Sequence, residues 1–441
     1  MDYDVATNTI RPLSIRTDTW IRYFRPCADR NCVWNESSST FLAEGRWYAT
    51  NQVLPDGERV IIVGGLNVFS YEFIPKSRDD EGAYDLPFLH DTREPHVKGG
   101  NNLYPFVHLS SDGNLFIFAN RDSILFDYRR GTVLGPSPSP RRRLRNYPST
   151  GSSVMLPLEH SDNFQRVEVM VCGGAATGAF QATLNGDFYQ GLSSCGRMVI
   201  TGDDPRWEME DMPGPRLMSD MLLLPTGDVL LINGATHGCA GWEKAINPVL
   251  APYLYKPKDP QGRRFSILRA SEIPRMYHST ALLLADGRVL VGGSNPYFRY
   301  NFSGYPYATE LRLEAFTPHY MGEYYDELRP TEVTVKSVRG DDVLKYGELF
   351  TVGFQLDRRG TTSAPDVEIV ASAASFVTHS LSMHQRMLRL ECVTVEVTVE
   401  GPLMALVRVP TSPVTAPTGY YMLTVLSGGI PSKSKWVRFV H

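Results

Sequence analysis

Two short segments set the chemistry of this chain apart: Trp47-Tyr48 and Tyr277-His278, each a pair of ring-bearing residues just ahead of an apolar run. A phenol oxygen and an imidazole nitrogen are donors suited to Cu(II) in a tetragonal arrangement. Taken singly such residues carry little. A tyrosine at the head of a strand is ordinarily a packed aromatic with a satisfied hydroxyl, and a lone histidine a hydrogen-bonded polar residue. Adjacency says more, because side chains alternate along a strand and neighbours reach one point only where the strand bends or ends. The common catalytic signatures are missing: there is no Gly-x-Ser-x-Gly, no His-Glu-x-x-His, no P-loop and no cysteine spacing that would hold zinc.

The elements that must position these pairs form a repeat of apolar run, tight glycine turn and second apolar run, often closed by Gly-Gly. It occurs as Tyr48-ATNQVLPDG-ERVIIVGG, Leu103-YPFVHLSSDGNLFIFAN, Met218-SDMLLLPTGDVLLING and Tyr277-HSTALLLADGRVLVGG, with a fifth copy, Ser152-SVMLPLEHSDNFQRVEVMVCGG, whose turn is longer and polar. Each copy predicts a β-hairpin, the turn glycine supplying a positive φ. The turn glycines Gly57, Gly113, Gly227 and Gly287 lie 56, 114 and 60 residues apart, and the middle gap holds the fifth copy. Such a period, near the roughly 40 to 50 residues of a propeller blade plus loops, fits a β-propeller better than a solenoid. Unrelated hairpins in a sandwich would explain each copy but not five copies of one template. In a propeller the inner strands line a central channel, so the heads of the hairpins, and with them Tyr48, Tyr277 and His278, converge.

After Leu328-Arg329-Pro330 the pattern changes to alternating strands at Glu332-VTVK, Leu349-FTVGFQL, Val367-EIVAS, Glu396-VTVE, Tyr420-YMLTVLSGG and Trp436-VRFV. This predicts an immunoglobulin-like sandwich, with propeller over 1–327 and sandwich over 328–441. The 441 residues exceed what one core supports. With 42% hydrophobic and 21% charged residues, a net charge of −4 and no apolar run of membrane-spanning length, nothing points to nucleic acid or to a membrane span. The one basic run, Arg141, Arg142, Arg143 and Arg145, reads as a solvated loop. The N-terminal Met-Asp-Tyr-Asp carries no secretion signal. Yet Cys27 with Cys32 and Cys172 with Cys195 are placed to pair, and Asn35 and Asn301 head glycosylation sequons. Buried thiols and unused sequons account for the same residues equally well.

Several segments together resemble plant-type glyoxal oxidases, relatives of galactose oxidase: Tyr3-DVATNTIRPL, Arg46-WYATNQVLPDG, Asn101-NLYPF, Arg145-NYPSTGSS, Met170-VCGG, Gly241-WEKA, Arg275-MYHSTALLLADGRVLVGGSNP and Phe376-VTHS followed by Met383-HQR. The resemblance runs nearly end to end. It implies an all-β fold, a Kelch-like propeller of seven blades in the family, followed by an early-set sandwich of immunoglobulin type. It also implies a Cu(II) cofactor held by Tyr48, Tyr277, His278 and His379, with a tyrosyl radical on Tyr48. Tyr277 would be the axial ligand and take the substrate's proton. His379 would reach the channel on a loop of the sandwich, and His384 would have a hydrogen-bonding role at most. The implied reaction oxidises small aldehydes such as glyoxal and methylglyoxal, or primary alcohols of sugars, and reduces O2 to hydrogen peroxide. The implied protein is a secreted monomer with disulfides Cys27–Cys32 and Cys172–Cys195.

One departure stands out. In relatives the radical tyrosine is joined through a thioether to a cysteine directly after a segment like Thr17-Asp18-Thr19-Trp20, where this chain has Ile21. From Trp20 the chain runs straight into Ile21-RYFRPCADRNC, which resembles the last strand of a blade, so most of one blade is expected to be missing. The resemblance also places the signal peptide and earliest strands ahead of Asp2. The alternative function is therefore a catalytically impaired propeller that binds carbohydrate or protein. A cytosolic Kelch-type adaptor would leave Tyr277-His278 and His379 unexplained.

Overall fold

The apolar runs of the repeat pair across their glycine turns, and each hairpin is the inner half of a meandering blade. A computed structural model describes residues 2–4, 9–11, 19–24, 31–95, 97, 99–137, 144–356, 366–396 and 402–441. The first blade is Thr50–Val53, Val60–Val63, Ser70–Ile74 and Tyr84–Asp85; the second is Phe106–Leu109, Leu115–Ala119, Asp122–Asp127 and Thr132–Ser137. The third is Ser152–Met155, Glu168–Cys172, Ser194–Val199 and Glu208–Asp211. The fourth is Asp220–Leu223, Val229–Ile232, Tyr253–Tyr255 and Phe265–Ile267, and the fifth has three strands, Thr280–Leu283, Val289–Gly292 and Leu313–Phe316. The inner pairs of the second and fourth blades are buried on both faces, which is why they read as continuous apolar runs.

A buried arginine recurs at the head of four of these blades. The guanidiniums of Arg46, Arg145, Arg216 and Arg275 donate to the carbonyls of Gly64, Gly173, Asn233 and Gly293, which close the second strands. This corrects the reading of Arg145 as part of a solvated run: it is fully buried and also bonds Ser194. Arg141, Arg142 and Arg143 lie outside the described residues. At the N-terminus, Trp20–Phe24 pairs with Trp34–Phe41 in a sheet of two strands, with Trp20, Phe24, Trp34 and Phe41 exposed. Cys172 and Cys195, directly opposite in the third blade, form a disulfide. Cys32 is disulfide-bonded and Cys27 lies outside the described residues, while the thiols of Cys239 and Cys392 are free.

The sandwich packs two sheets over Phe350, Val352, Phe354, Ile369, Leu423, Val425 and Phe439. One sheet orders Thr331–Lys336, Leu349–Gln355, Leu403–Arg408 and Glu391–Glu396. The other runs from Met387–Arg389 through Val367–Ala373, Gly419–Ser427 and Lys435–Val440 to Val343–Lys345. Of the expected strand beginning at Glu396, residues 397–400 lie outside the described residues. The polar turn of the third blade carries a strand, Leu158–Glu159, that joins the second sheet beside Met387–Arg389.

Propeller and sandwich are locked together. A Cβ at Gly57, whose φ is +71°, would fall 2.0 Å from the Thr418 carbonyl oxygen, so only glycine lets that turn dock. The buried Arg386 donates to the carbonyls of Leu109, Val414 and Thr415. Gln385 bonds the backbone of Met221 and Leu223 like an added strand residue, and His384 Nδ1 lies 3.1 Å from Gln52 Nε2.

Candidate metal centre

Two residues ahead of every inner strand the chain turns left-handed without glycine: Tyr48, Tyr104, Thr150, Met218 and His278 have φ of 65°, 49°, 43°, 57° and 63°. This conformation costs an L-residue about 1 to 2 kcal/mol. It is the bend that adjacency in Trp47-Tyr48 and Tyr277-His278 called for. The fourth candidate corrects the expectation of a loop: His379 sits at the tip of a hairpin, Phe376–Thr378 with Leu381–Met383. Its two-residue turn, His379-Ser380, has φ of 48° and 64°, the pattern of a type I′ hairpin turn. The hairpin packs against the inner strands of the first, third, fourth and fifth blades, along the propeller axis.

All four candidates meet there. The hydroxyls of Tyr48 and Tyr277 are 2.8 Å apart. The His379 ring centroid is 4.6 Å from that of Tyr48, 4.9 Å from His278 and 5.6 Å from Tyr277, and the rings of Tyr277 and His278 stack at 3.9 Å. His278 Nδ1 donates to the Asn295 carbonyl at 3.0 Å, which leaves the lone pair on Nε2. His379 Nδ1 is bonded to the hydroxyls of Tyr104 and Thr378, while its Nε2 is buried and meets no hydrogen-bond partner among the described residues. A buried imidazole nitrogen with nothing to bond is costly unless something binds it.

Burial raises the pKa of Tyr48, with the neighbouring Tyr147 adding to it, and raises Tyr277 further, with Tyr147 and Tyr48 as second causes. Burial lowers His278, and lowers His379 to about 3 with His278 as the lesser cause. The imidazoles are thus neutral, with lone pairs a metal could use, while the phenols keep their protons until a nearby cation draws them off. Two imidazoles and two phenols converging on one buried point fit Cu(II) in donor type.

Sequence reasoning missed three neighbours. Tyr147 Oη lies 3.2 Å from Tyr277 Oη, and Tyr104 and Thr378 hold His379 Nδ1 at 3.0 and 2.8 Å. Tyr104 had a signal, since it occupies the template position of Tyr48; Tyr147 falls between copies and had none. Trp47 stacks on Tyr48 at 3.7 Å. A cavity of about 330 Å³ lies at the junction of the fourth and fifth blades with the sandwich, lined among others by Leu222, Leu283, Gln385 and Trp436; none of the four candidates borders it.

The family model described as Glyoxal oxidase N-terminus matches residues 21–320, and that of the Galactose oxidase-like, Early set domain matches 329–439. The chain is 42% identical to Aldehyde oxidase GLOX of Vitis pseudoreticulata, over 99% of this chain and 85% of that protein. It is 39% identical to Aldehyde oxidase GLOX1 of Arabidopsis thaliana, over 99% and 74%. The grapevine alignment spans 462 positions, more than the 441 residues here, so it opens gaps in this chain. In fold it is similar to a fungal alcohol oxidase solved in complex with copper, at a TM-score of 0.57 and 16% identity over 92% of this chain and 88% of that one. An all-β propeller with an early-set sandwich, two family matches in series and 42% identity along nearly its whole length agree: the chain belongs to the glyoxal oxidase family.

Proposed function

We propose that this protein is a copper-dependent oxidase of small aldehydes, such as glyoxal and methylglyoxal, or of primary alcohols, with O2 reduced to hydrogen peroxide. The observation that carries the reading is the meeting of two phenols and two imidazoles from two domains around the unpartnered His379 Nε2. Tyr48, Tyr277, His278 and His379 would hold the metal. Bound copper together with a radical on Tyr48 would supply the two-electron oxidant that an alcohol or aldehyde hydrate requires. Tyr277 Oη, held between the hydroxyls of Tyr48 and Tyr147, would take the substrate's hydroxyl proton. Trp47 covers one phenol ring.

The disulfide Cys172–Cys195 and the bonded Cys32 favour an oxidising compartment, so we place the protein outside the cell, as a monomer. No helix among the described residues is long and apolar enough to cross a membrane. We set the domain boundary near residue 327, between the two family matches. Ile21, where the cross-linking cysteine is expected, and the two-stranded N-terminal sheet favour a second reading, a binding module of impaired activity.

Copper titration followed by a peroxide assay over aldehydes and primary alcohols separates the two. Copper uptake with peroxide release supports the oxidase, and uptake without peroxide supports the binding module. Failure to bind copper refutes the assignment of the centre.

A further inference from the structure

We infer that Tyr104 is a positioning residue that fixes the imidazole of His379 to the propeller, and through it sets where a metal on Nε2 would sit. The inference deepens the copper reading and rests on it for the identity of the metal. The geometry stands on its own. His379 Nδ1 has two hydroxyl neighbours, Thr378 Oγ1 at 2.8 Å and Tyr104 Oη at 3.0 Å. When Nε2 gives its lone pair to a metal, Nδ1 carries the proton and must donate it to an oxygen. Thr378 is the preceding residue on the same hairpin, so its bond orients the ring against the hairpin's own backbone, and its hydroxyl also bonds that of Tyr104. Tyr104 belongs to the propeller, as do Tyr48, Tyr277 and His278. It alone of the two can hold the sandwich's imidazole in register with the other three candidates.

Tyr104 is itself firmly held. Its amide donates to the Tyr48 carbonyl at 2.9 Å, its carbonyl accepts from Asn146 Nδ2 at 2.9 Å, and its ring stacks on that of Tyr48 at 4.7 Å with 21° between planes. It is 8% exposed. One rigid residue therefore contacts a phenol from the first blade and the imidazole from the sandwich, and a shift at either is felt at both. Removing its hydroxyl while keeping the ring leaves the stack and deletes the tie to His379.

The test uses the full chain with Tyr104→Phe and Thr378→Val, read by Cu(II) affinity from competition with a chelator and by the nitrogen hyperfine pattern of bound Cu(II) in pulsed electron paramagnetic resonance. A third readout needs no metal: the ¹⁵N shifts of the His379 ring in the copper-free protein. Melting of the copper-free proteins checks that the fold is kept. Tyr104→Phe should weaken copper about 10- to 100-fold, the usual cost of losing a partner behind a ligand. It should also alter the coupling of one imidazole and move the Nδ1 shift. Thr378→Val should cost copper affinity clearly less than Tyr104→Phe does. Unchanged affinity, hyperfine pattern and Nδ1 shift in Tyr104→Phe would overturn the inference, and so would Thr378→Val carrying the whole loss. If the unaltered protein binds no copper, the metal reading falls, and the Nδ1 shift alone decides whether Tyr104 holds the ring.

Discussion

If one donor comes from the sandwich and three from the propeller, copper braces the two domains, and His379 is the residue on which that brace depends. The change to make is His379→Asn: asparagine tolerates the left-handed φ of 48° at the hairpin tip, so the turn survives while the imidazole is lost. Copper at 100 times its dissociation constant should stabilise the native state by about 2.7 kcal/mol. If all 441 residues unfold together, the unfolding entropy is about 0.9 kcal/mol per kelvin and the melting midpoint rises by about 3 °C. If the sandwich of roughly 110 residues melted by itself, the same free energy would raise its midpoint by about 12 °C. The bonds of Arg386 to Leu109 and of Gln385 to Met221 and Leu223 across the junction, and the turn docked at Gly57, argue for the joint transition and the smaller shift. Scanning calorimetry of copper-free protein with and without Cu(II) reads this directly. His379→Asn should cut the shift to below about 1 °C. An undiminished shift in that variant would show that His379 binds no copper, and a separate sandwich transition would refute the claim of a locked junction.

Three further outcomes are expected. Tyr277→Phe should lower peroxide production at least about 100-fold with the Cu(II) resonance retained, because the proton acceptor is lost; activity within a few-fold of the unaltered protein would remove Tyr277 from that role. Burial pushes the Asp220 carboxyl up to about 7, so the folded state holds this proton more tightly than the unfolded chain does. The resulting stability is full below about pH 4 and is lost as pH rises towards about 7, so Asp220→Asn should flatten the fall in melting temperature over that window, and an unchanged slope would refute it. Ile21→Cys alone should raise peroxide output little and show no loss of two hydrogens by mass spectrometry, whereas restoring a full blade with its cysteine after Trp20 should do both; a cross-link in the single variant would overturn the missing-blade account.

Much of the fold was legible because the repeat is built from local signals. A glycine turn between two apolar runs specifies a hairpin whatever surrounds it, and every copy became the inner half of a blade. Outer strands such as Phe265–Ile267, with exposed Ile267, carry weaker patterns and were not foreseen. Arg145 was misread for a related reason: next to three other arginines in a proline-rich stretch it looks solvated, and its buried partners Gly173 and Ser194 are brought to it by the third blade. Tyr147 was invisible because it meets Tyr277 across a sequence separation of 130 and by no local pattern.

The centre is better understood as a property of the repeat than of four separate residues. Five blades place a left-handed residue at one template position, and backbone bonds join two neighbouring pairs of them: Tyr104 N donates to Tyr48 O, and Met218 N to Thr150 O. The strain is therefore a cost the propeller bears at every blade, whether or not the side chain does chemistry. Thr150 and Met218 occupy the position without joining the cluster, while Tyr48, Tyr104 and His278 occupy it and do. Changing which side chain stands there leaves the bend in place, so a ligand set can be altered at these positions without rebuilding the fold. His379 is the exception, since it enters from another domain with no repeat to fix it. That is why the hydroxyl of Tyr104, presented from a template position, matters more to His379 than the nearer hydroxyl of Thr378.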